Sequence, residues 1–440
     1  MKCLILAAGK GSRLSRRGNS KPLIPLLGVP LIERVIRSAI QAGIEEFYAV
    51  SGYNGEQVRP FLDGLAARCG ITVTHINNDD FEQGNGVSVL KAKEYLSEPF
   101  LLLMADHLFD PGILRELMQQ SQDPGTVTLA IDINMANKLV DMNDVTRVRH
   151  EDGKLVAIGK GLADFNGFDT GIFLCTPALF EALERSATDQ GDTSLSGGVR
   201  RLAGAGRVNV MDIAGRFWLD VDDPKTLAQG ERVLLTQLRH KPNDGPVSRY
   251  LNRPISVRIS RILCRFPITP NQISLLSFSG SILAAVLFAL GGYPALAAGG
   301  VLAQFASIID GCDGEVARIK FQESDYGRWF DAVLDRYADA FLLFGLTWHA
   351  FAGGAGSLVL FAGFLAIIGS FMLSYTADKY DRLMQRNFAS GKSWRIGRDI
   401  RVFLIFLGAL LNQPFAILLL IAALMNVETV RRVWVSRDRG

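Results

Sequence analysis

At 440 residues the chain is too long for one ordinary domain and long enough to build more than one core. A net charge of +3 is too small to argue for nucleic acid as a partner. The five cysteines (Cys3, Cys69, Cys175, Cys264, Cys312) are scattered without a CxxC pair, which argues against a disulfide framework or cysteine zinc site and suits a reducing compartment.

The opening MKCLILAAGKGSR joins a short apolar run to glycines and basic residues, so a cytosolic β-strand is expected there, not a signal peptide. Lys2 to Ala8 reads as that strand, followed by a glycine-rich turn and a helix around Leu31 to Gly43. Phe47 to Gly52, Ile71 to Ile76 and Phe100 to Met104 read as further strands, and Glu56 to Cys69 has helical spacing. Strands alternating with helices predict a mostly parallel sheet covered on both faces, a Rossmann-like α/β domain over residues 1–238. Such sheets bind ligands at the carboxyl ends of their strands, where the polar motifs of this half fall. Residues 239–246 (RHKPNDGP), rich in charge and turn formers, read as a linker.

From residue 247 to 440 the composition changes. Val247 to Phe266 interleaves Arg249, Arg253, Arg258, Arg261 and Arg265 with apolar residues, as in a basic helix on an anionic membrane surface. Apolar segments follow at Ile273–Leu290, Ala295–Ile309, Trp329–Phe351 and Ser357–Ala377, with two shorter ones at Val402–Leu411 and Phe415–Met425. Counted as six membrane helices, their connections alternate. Gly291–Pro294, Phe351–Gly356 and Asn412–Pro414 carry no Lys or Arg, whereas Arg318, Lys320, Arg328, Lys379, Arg382, Arg386, Lys392, Arg395, Arg398 and Arg401 crowd the others. The positive-inside rule then predicts a multi-pass protein of the plasma membrane with its N-terminal domain and C-terminus cytoplasmic.

The first chemical motif is Leu6-Ala7-Ala8-Gly9-Lys10-Gly11-Ser12-Arg13-Leu14, followed by Lys21-Pro22-Leu23. Backbone N–H groups of a glycine-rich turn cradle phosphates, and Arg13 and Lys21 would neutralise a triphosphate. With Gly28-Val-Pro-Leu-Ile, this stretch resembles the sugar-phosphate nucleotidyltransferases. That resemblance implies base reading by Gly84-Asn85-Gly86-Val-Ser88, a metal on Asp106, and a sugar phosphate on Lys160. Asp169-Thr170-Gly171 also matches, and the second metal carboxylate is Asp220 or Asp222 in Trp218-Leu-Asp220-Val-Asp222. His107, beside Asp106, reads as a loop residue and not as a ligand.

The second motif lies at the membrane. Asp310 and Asp313 end one apolar segment and Asp331 and Asp335 begin the next, at spacings that put each pair on one helix face. Four carboxylates converging there would repel unless divalent cations lay between them, and hard oxygen donors suit Mg²⁺ or Mn²⁺. The run D-x2-D-G-x2-A-R-x8-G-x3-D-x3-D, complete from Asp310 to Asp335, resembles the CDP-alcohol phosphotransferase signature, and Ile268-Thr-Pro-Asn-Gln resembles that family's entry into its first helix. The resemblance implies an all-α six-helix transmembrane domain, often dimeric, that displaces CMP from a CDP-alcohol. Asp310, Asp313, Asp331 and Asp335 would ligate two metals, with Asp335 also the base for the acceptor hydroxyl, while Gly314, Ala317, Arg318 and Gly327 frame the CDP. Asp339 reads as a packing or orienting residue.

Fused in this order, the halves resemble the bifunctional inositol-1-phosphate cytidylyltransferase / di-myo-inositol phosphate phosphate synthase family. That implies one Mg²⁺ (or Mn²⁺) in the first domain and two in the second, with CTP, inositol 1-phosphate and a CDP-alcohol as substrates in a lipid membrane, and a homodimer formed through the membrane domain. Lys379, Arg382, Arg386 and Arg395 would bind the acceptor's phosphate or serve topology alone. Open beside this are a fusion that makes another CDP-activated headgroup for a lipid acceptor, a nucleotide-binding first domain without turnover, and a membrane scaffold.

Overall fold

The first strand, β1 (Lys2–Ala7), packs Cys3, Ile5 and Ala7 into one apolar cluster and Leu4 and Leu6 into another. Alternating side chains on a strand covered by layers on both faces behave in this way. The computed structural model describes residues 1–17, 20–120, 123–239, 244–385 and 397–437. They form two units, Met1–Val233 and Leu234–Gly440.

In the first unit β1 is followed by the hairpin β2 (Pro25–Leu26) and β3 (Val29–Pro30), then β4 (Glu46–Ser51), β5 (Thr72–Asn77), β6 (Phe100–Met104) and β7 (His107–Phe109). Next come β8 (Val127–Asp132), β9 (Arg147–Glu151), β10 (Lys154–Gly159), β11 (Gly167–Cys175), β12 (Val208–Asp212) and β13 (Trp218–Asp220). Nine of these make one sheet in the order β5-β4-β1-β6-β11-β8-β12-β10-β9, and β13 pairs with β7. β5, β4, β1 and β6 are parallel, but β11 runs antiparallel to β6 and β8, and β10 antiparallel to β9 and β12. The sheet is therefore mixed where the strand–helix alternation predicted a mostly parallel one. For β9 and β10 the cause is local: Asp152 and Gly153, at φ 48° and 75°, turn β9 straight back into β10.

Helices α1 (Leu31–Gln41), α2 (Gly55–Cys69), α3 (Asn85–Leu90), α4 (Pro111–Leu117), α5 (Ala178–Gln190), α6 (Leu195–Gly204) and α7 (Pro224–Leu238) complete this part of the chain. In α1 the buried Ile32, Val35, Ile36 and Ala39 recur at helical spacing and pack into the same cluster as Cys3 and Ile5. Truncating Ile5, fully buried there, to Ala would cost about 2–5 kcal/mol.

The second unit contains α8 (Arg253–Leu263), α9 (Pro270–Ala289), α10 (Tyr293–Lys320), α11 (Asp325–Ala352), α12 (Leu358–Gln385), α13 (Arg398–Leu410) and α14 (Pro414–Arg437). Thr269 caps α9 in a reciprocal box with Gln272, which fixes where the chain turns into that helix. Pro270–Ala289, Tyr293–Lys320, Leu358–Ala377 and Pro414–Val435 are long and apolar enough to cross a membrane. α11 falls short in composition because Asp331, Asp335, Arg336 and Asp339 fill its first half, and α13, at 13 residues, rises only about 20 Å. α14 exceeds the short segment expected at Phe415–Met425. Beyond the apolar run, Glu428 pairs with Arg431 and Arg432 at three- and four-residue spacing and carries the helix on. In α8, Arg253 departs from the expected surface role: it is buried, bonded to Asp244 and to Glu315 on α10.

Candidate functional site

In the first unit β1 delivers the buried Leu6, Ala7 and Ala8 into the loop holding Gly9 and Gly11. Gly11 has φ 57°, and a Cβ there would stand 2.4 Å from that of Lys21, so only glycine lets the lysine pass so close to the loop. Lys21, buried, bonds through Nζ to both Asp106 and Asp222. Arg13 donates to Asp222 at 3.0 Å and to Asp144 at 2.6 Å, and Asp144 also accepts from Lys160 at 2.5 Å. A cavity of about 260 Å³ is lined by Arg13, Asn85, Asp106, His107, Asp144, Lys160, Asp220 and Asp222 among others.

The segment expected to read the base is only partly open to this cavity. Asn85 lines it while its side chain accepts from the Leu195 amide at 2.8 Å. Gly86 lies so close to Thr193 that a Cβ would meet its carbonyl oxygen at 2.6 Å. Ser88 is buried and accepts from Asn78 at 2.9 Å, which ties the turn together. His107 corrects the expectation of a loop residue, because it begins β7 and its Nδ1 lies 2.7 Å from the Thr170 carbonyl oxygen. Sequence reasoning missed Asp144, which lies in an irregular stretch without motif or periodicity.

Charge is concentrated here. Burial alone would lower the Lys21 ammonium, but Asp106, Asp222 and Asp220 outweigh it and hold it above its ordinary range. Burial likewise opposes a charged His107, yet Asp220 and then Asp106 raise it to about 10. Asp220, which burial would raise, is lowered to about 2 by His107 and Lys21. Asp169 is pushed up to about 6 by burial. One ligand atom each from Asp106, His107 and Asp220 lies within 4.8 Å of the others, and Asp220 Oδ1 is buried without a hydrogen-bond partner among the described residues. These donors fit a divalent cation.

In the second unit α10 and α11 bring Asp310, Asp331 and Asp335 together, one oxygen of each within 4.8 Å of the others. Asp331 Oδ1 is buried without a hydrogen-bond partner among the described residues, an oxygen that could face a cation. Asp313 is held by Ser274 at 2.5 Å and by the Gly314 amide, and Asp310 accepts from Ser277 at 3.1 Å. Arg398 Nη1 lies 2.7 Å from oxygens of both Asp310 and Asp335. Asp339 is the buried anchor behind them, receiving Arg398 at 3.2 Å and Arg401 at 2.6 Å. A cavity of about 420 Å³ opens on Asp310, Asp313, Gly314, Arg318, Asp331 and Asp335, and another of about 540 Å³ on Gly314, Ala317, Arg318 and Gly327.

Besides Arg318, the arginines Arg253, Arg336, Arg398, Arg401 and Arg432 also line the first of these cavities. No motif marks Arg398, which sequence reasoning saw only as topological charge. Of the residues expected on the acceptor, the side chains of Lys379 and Arg382, and the whole of Arg386 and Arg395, lie outside the described residues.

Two families match the chain: the MobA-like NTP transferase domain over residues 3–202 and the CDP-alcohol phosphatidyltransferases over residues 267–434. Across 434 residues it is 40% identical to the bifunctional IPC transferase and DIPP synthase of Rubrobacter xylanophilus, covering 98% of this chain and 95% of that protein. A protein of the same description from Aquifex aeolicus is 30% identical over 438 residues, covering 98% and 97%. The solved inositol-1-phosphate CTP transferase from T. maritima is 26% identical at a TM-score of 0.48, covering 53% of this chain and 94% of its own.

Proposed function

The chain belongs to the family of bifunctional IPC transferases and DIPP synthases, and from that premise we propose two consecutive reactions, one in each unit. In the first unit the phosphate of inositol 1-phosphate attacks the α-phosphorus of CTP, forming CDP-inositol and releasing pyrophosphate. In the second a hydroxyl of another inositol 1-phosphate attacks the β-phosphorus of CDP-inositol. A new P–O bond forms, the pyrophosphate bridge breaks, and CMP leaves. The observation that carries this reading is that one chain holds two separate acidic centres, each within a cavity lined by arginine or lysine side chains.

In the first centre Arg13, Lys21 and Lys160 supply the charge that a triphosphate and a sugar phosphate need, while Asp106 and Asp220 would hold Mg²⁺ or Mn²⁺. Asp222, engaged by Lys21 and Arg13, orients those cations. In the second, Asp310, Asp313, Asp331 and Asp335 would hold two such ions, which when bound neutralise the pyrophosphate and polarise its phosphorus. Arg318 places its guanidinium for phosphate oxygens, and Gly314, Ala317 and Gly327 keep the wall close. Asp335 takes the proton of the acceptor hydroxyl. Arg336, which lines the same cavity, gives an anionic acceptor a counter-charge.

The same reading places the second unit across the plasma membrane with six passes and both termini in the cytoplasm, supported by the lysine- and arginine-free connections on one side. Its outward apolar faces, with Phe344, Phe361 and Phe364 exposed, suit lipid and a second copy of the chain. The test is mass spectrometry of the products after purified protein receives CTP, Mg²⁺ and a panel of alcohol phosphates. CDP-inositol followed by a soluble double phosphate is expected. A lipid product, or no product from inositol 1-phosphate, would refute the assignment.

A further inference from the structure

His107 is a nitrogen donor at the first centre that the reactions above do not use. Its ring is largely buried, and its Nδ1 lies 2.7 Å from the Thr170 carbonyl oxygen. A carbonyl oxygen only accepts, so Nδ1 carries a hydrogen, and a cation at Nε2 would take the place of the second hydrogen of the charged ring. Nε2 is then turned towards Asp220 Oδ1 at 3.4 Å and Asp106 Oδ1 at 3.7 Å. Asp106 gives its other oxygen to Lys21, and Asp220 Oδ1 is buried without a hydrogen-bond partner among the described residues. The ring is also held in place: Gly171, at φ 73°, lies against it, and a Cβ there would stand 2.4 Å from its Cε1 and Nδ1. A histidine pinned through one ring nitrogen by a backbone carbonyl, with the other aimed at carboxylate oxygens, is how proteins orient metal-binding imidazoles.

Resting on the reading of Asp106 and Asp220 as ligands, we propose that His107 Nε2 is the third protein ligand of the first centre's divalent cation. That centre is then a mixed nitrogen–oxygen site, unlike the carboxylate cluster of Asp310, Asp331 and Asp335 in the second unit. Imidazole favours the later first-row ions more than Mg²⁺. The first centre should therefore bind Mn²⁺ and Co²⁺ more tightly than Mg²⁺.

The test is electron spin echo modulation of Mn²⁺ added alone to full-length protein in detergent. An imidazole ¹⁴N coupling is expected, replaced by a ¹⁵N pattern in protein grown on ¹⁵N-histidine and lost in Asp106→Asn. His107→Gln should remove the coupling and weaken Mn²⁺ binding about tenfold or more, with a smaller loss for Mg²⁺. The wild-type spectrum decides the matter even if that variant does not fold. Mn²⁺ bound in an Asp106-dependent way without nitrogen coupling would overturn the role of His107 and leave the carboxylate ligands standing. Absence of any Asp106-dependent Mn²⁺ binding would overturn both.

Discussion

Replacing Asp335 by Asn separates proton removal from metal holding in the second centre. One oxygen of Asp335 lies 2.7 Å from Arg398 Nη1, which also bonds Asp310 at 2.7 Å. An asparagine keeps a carbonyl oxygen for that contact and has the same size, so the geometry of Arg398 and Asp310 survives while the negative charge goes. Asp331 has a buried oxygen that no donor among the described residues occupies, which suits it to hold a cation. Asp335→Asn should therefore bind CDP-inositol nearly as the parent does. Its transfer step should slow by about 10²–10⁴-fold, the contribution of a positioned base. At 1.36 kcal/mol per tenfold this is a barrier higher by roughly 3–5 kcal/mol. Asp331→Ala should instead weaken metal-dependent nucleotide binding. Nucleotide affinity measured beside the single-turnover rate of CMP release distinguishes the two. If Asp335→Asn lost nucleotide binding as fully as Asp331→Ala, Asp335 would be a ligand first, and its assignment as the base would fall.

Asp106→Ala should abolish pyrophosphate release from CTP yet leave transfer from supplied CDP-inositol intact, and loss of both in a coupled assay with preformed substrate would contradict two independent centres. Asp313→Asn, which keeps size but removes the charge held by Ser274, should lose CMP release and cation binding while cytidylyltransfer continues. Glu315→Ala should destabilise the second unit. This fully buried carboxylate accepts from Arg253, Ser256 and Ser260 at 2.6 Å each. Breaking a buried pair costs about 3–5 kcal/mol, and the lower end is expected because Arg253 keeps Asp244. A thermal midpoint in detergent within a degree of the parent would show that the contact contributes little.

Much of this was legible in the residues, for identifiable reasons. β1 announces itself as a short continuous apolar run, buried at every position after Lys2, and α1 by apolar residues recurring at helical spacing. The four aspartates of the second centre stand within 26 consecutive residues, so their convergence needs only one helix turn-around. The first centre draws on residues from Arg13 to Asp222, and Asp144 enters it from a stretch with no periodic pattern. Arg398 and Glu315 were hidden differently. Each is a charge within a row of charges or a variable position of a motif, and only the packing of α8 and α13 against α10 and α11 tells a buried partner from a solvated one. The direction of β11, antiparallel to β6 and β8, was equally silent, since alternation of side chains is the same whichever way a strand runs.

Lys21 between Asp106 and Asp222, and Arg398 between Asp310 and Asp335, have one consequence in common. Each acidic centre carries an internal counter-ion, so the fold does not depend on an imported one to keep its carboxylates from driving the elements apart. A chelator should then idle this protein without unfolding it, in contrast to small domains whose folding free energy is their metal-binding energy. Scarcity of divalent ions would pause synthesis and leave an intact protein ready to resume when they return.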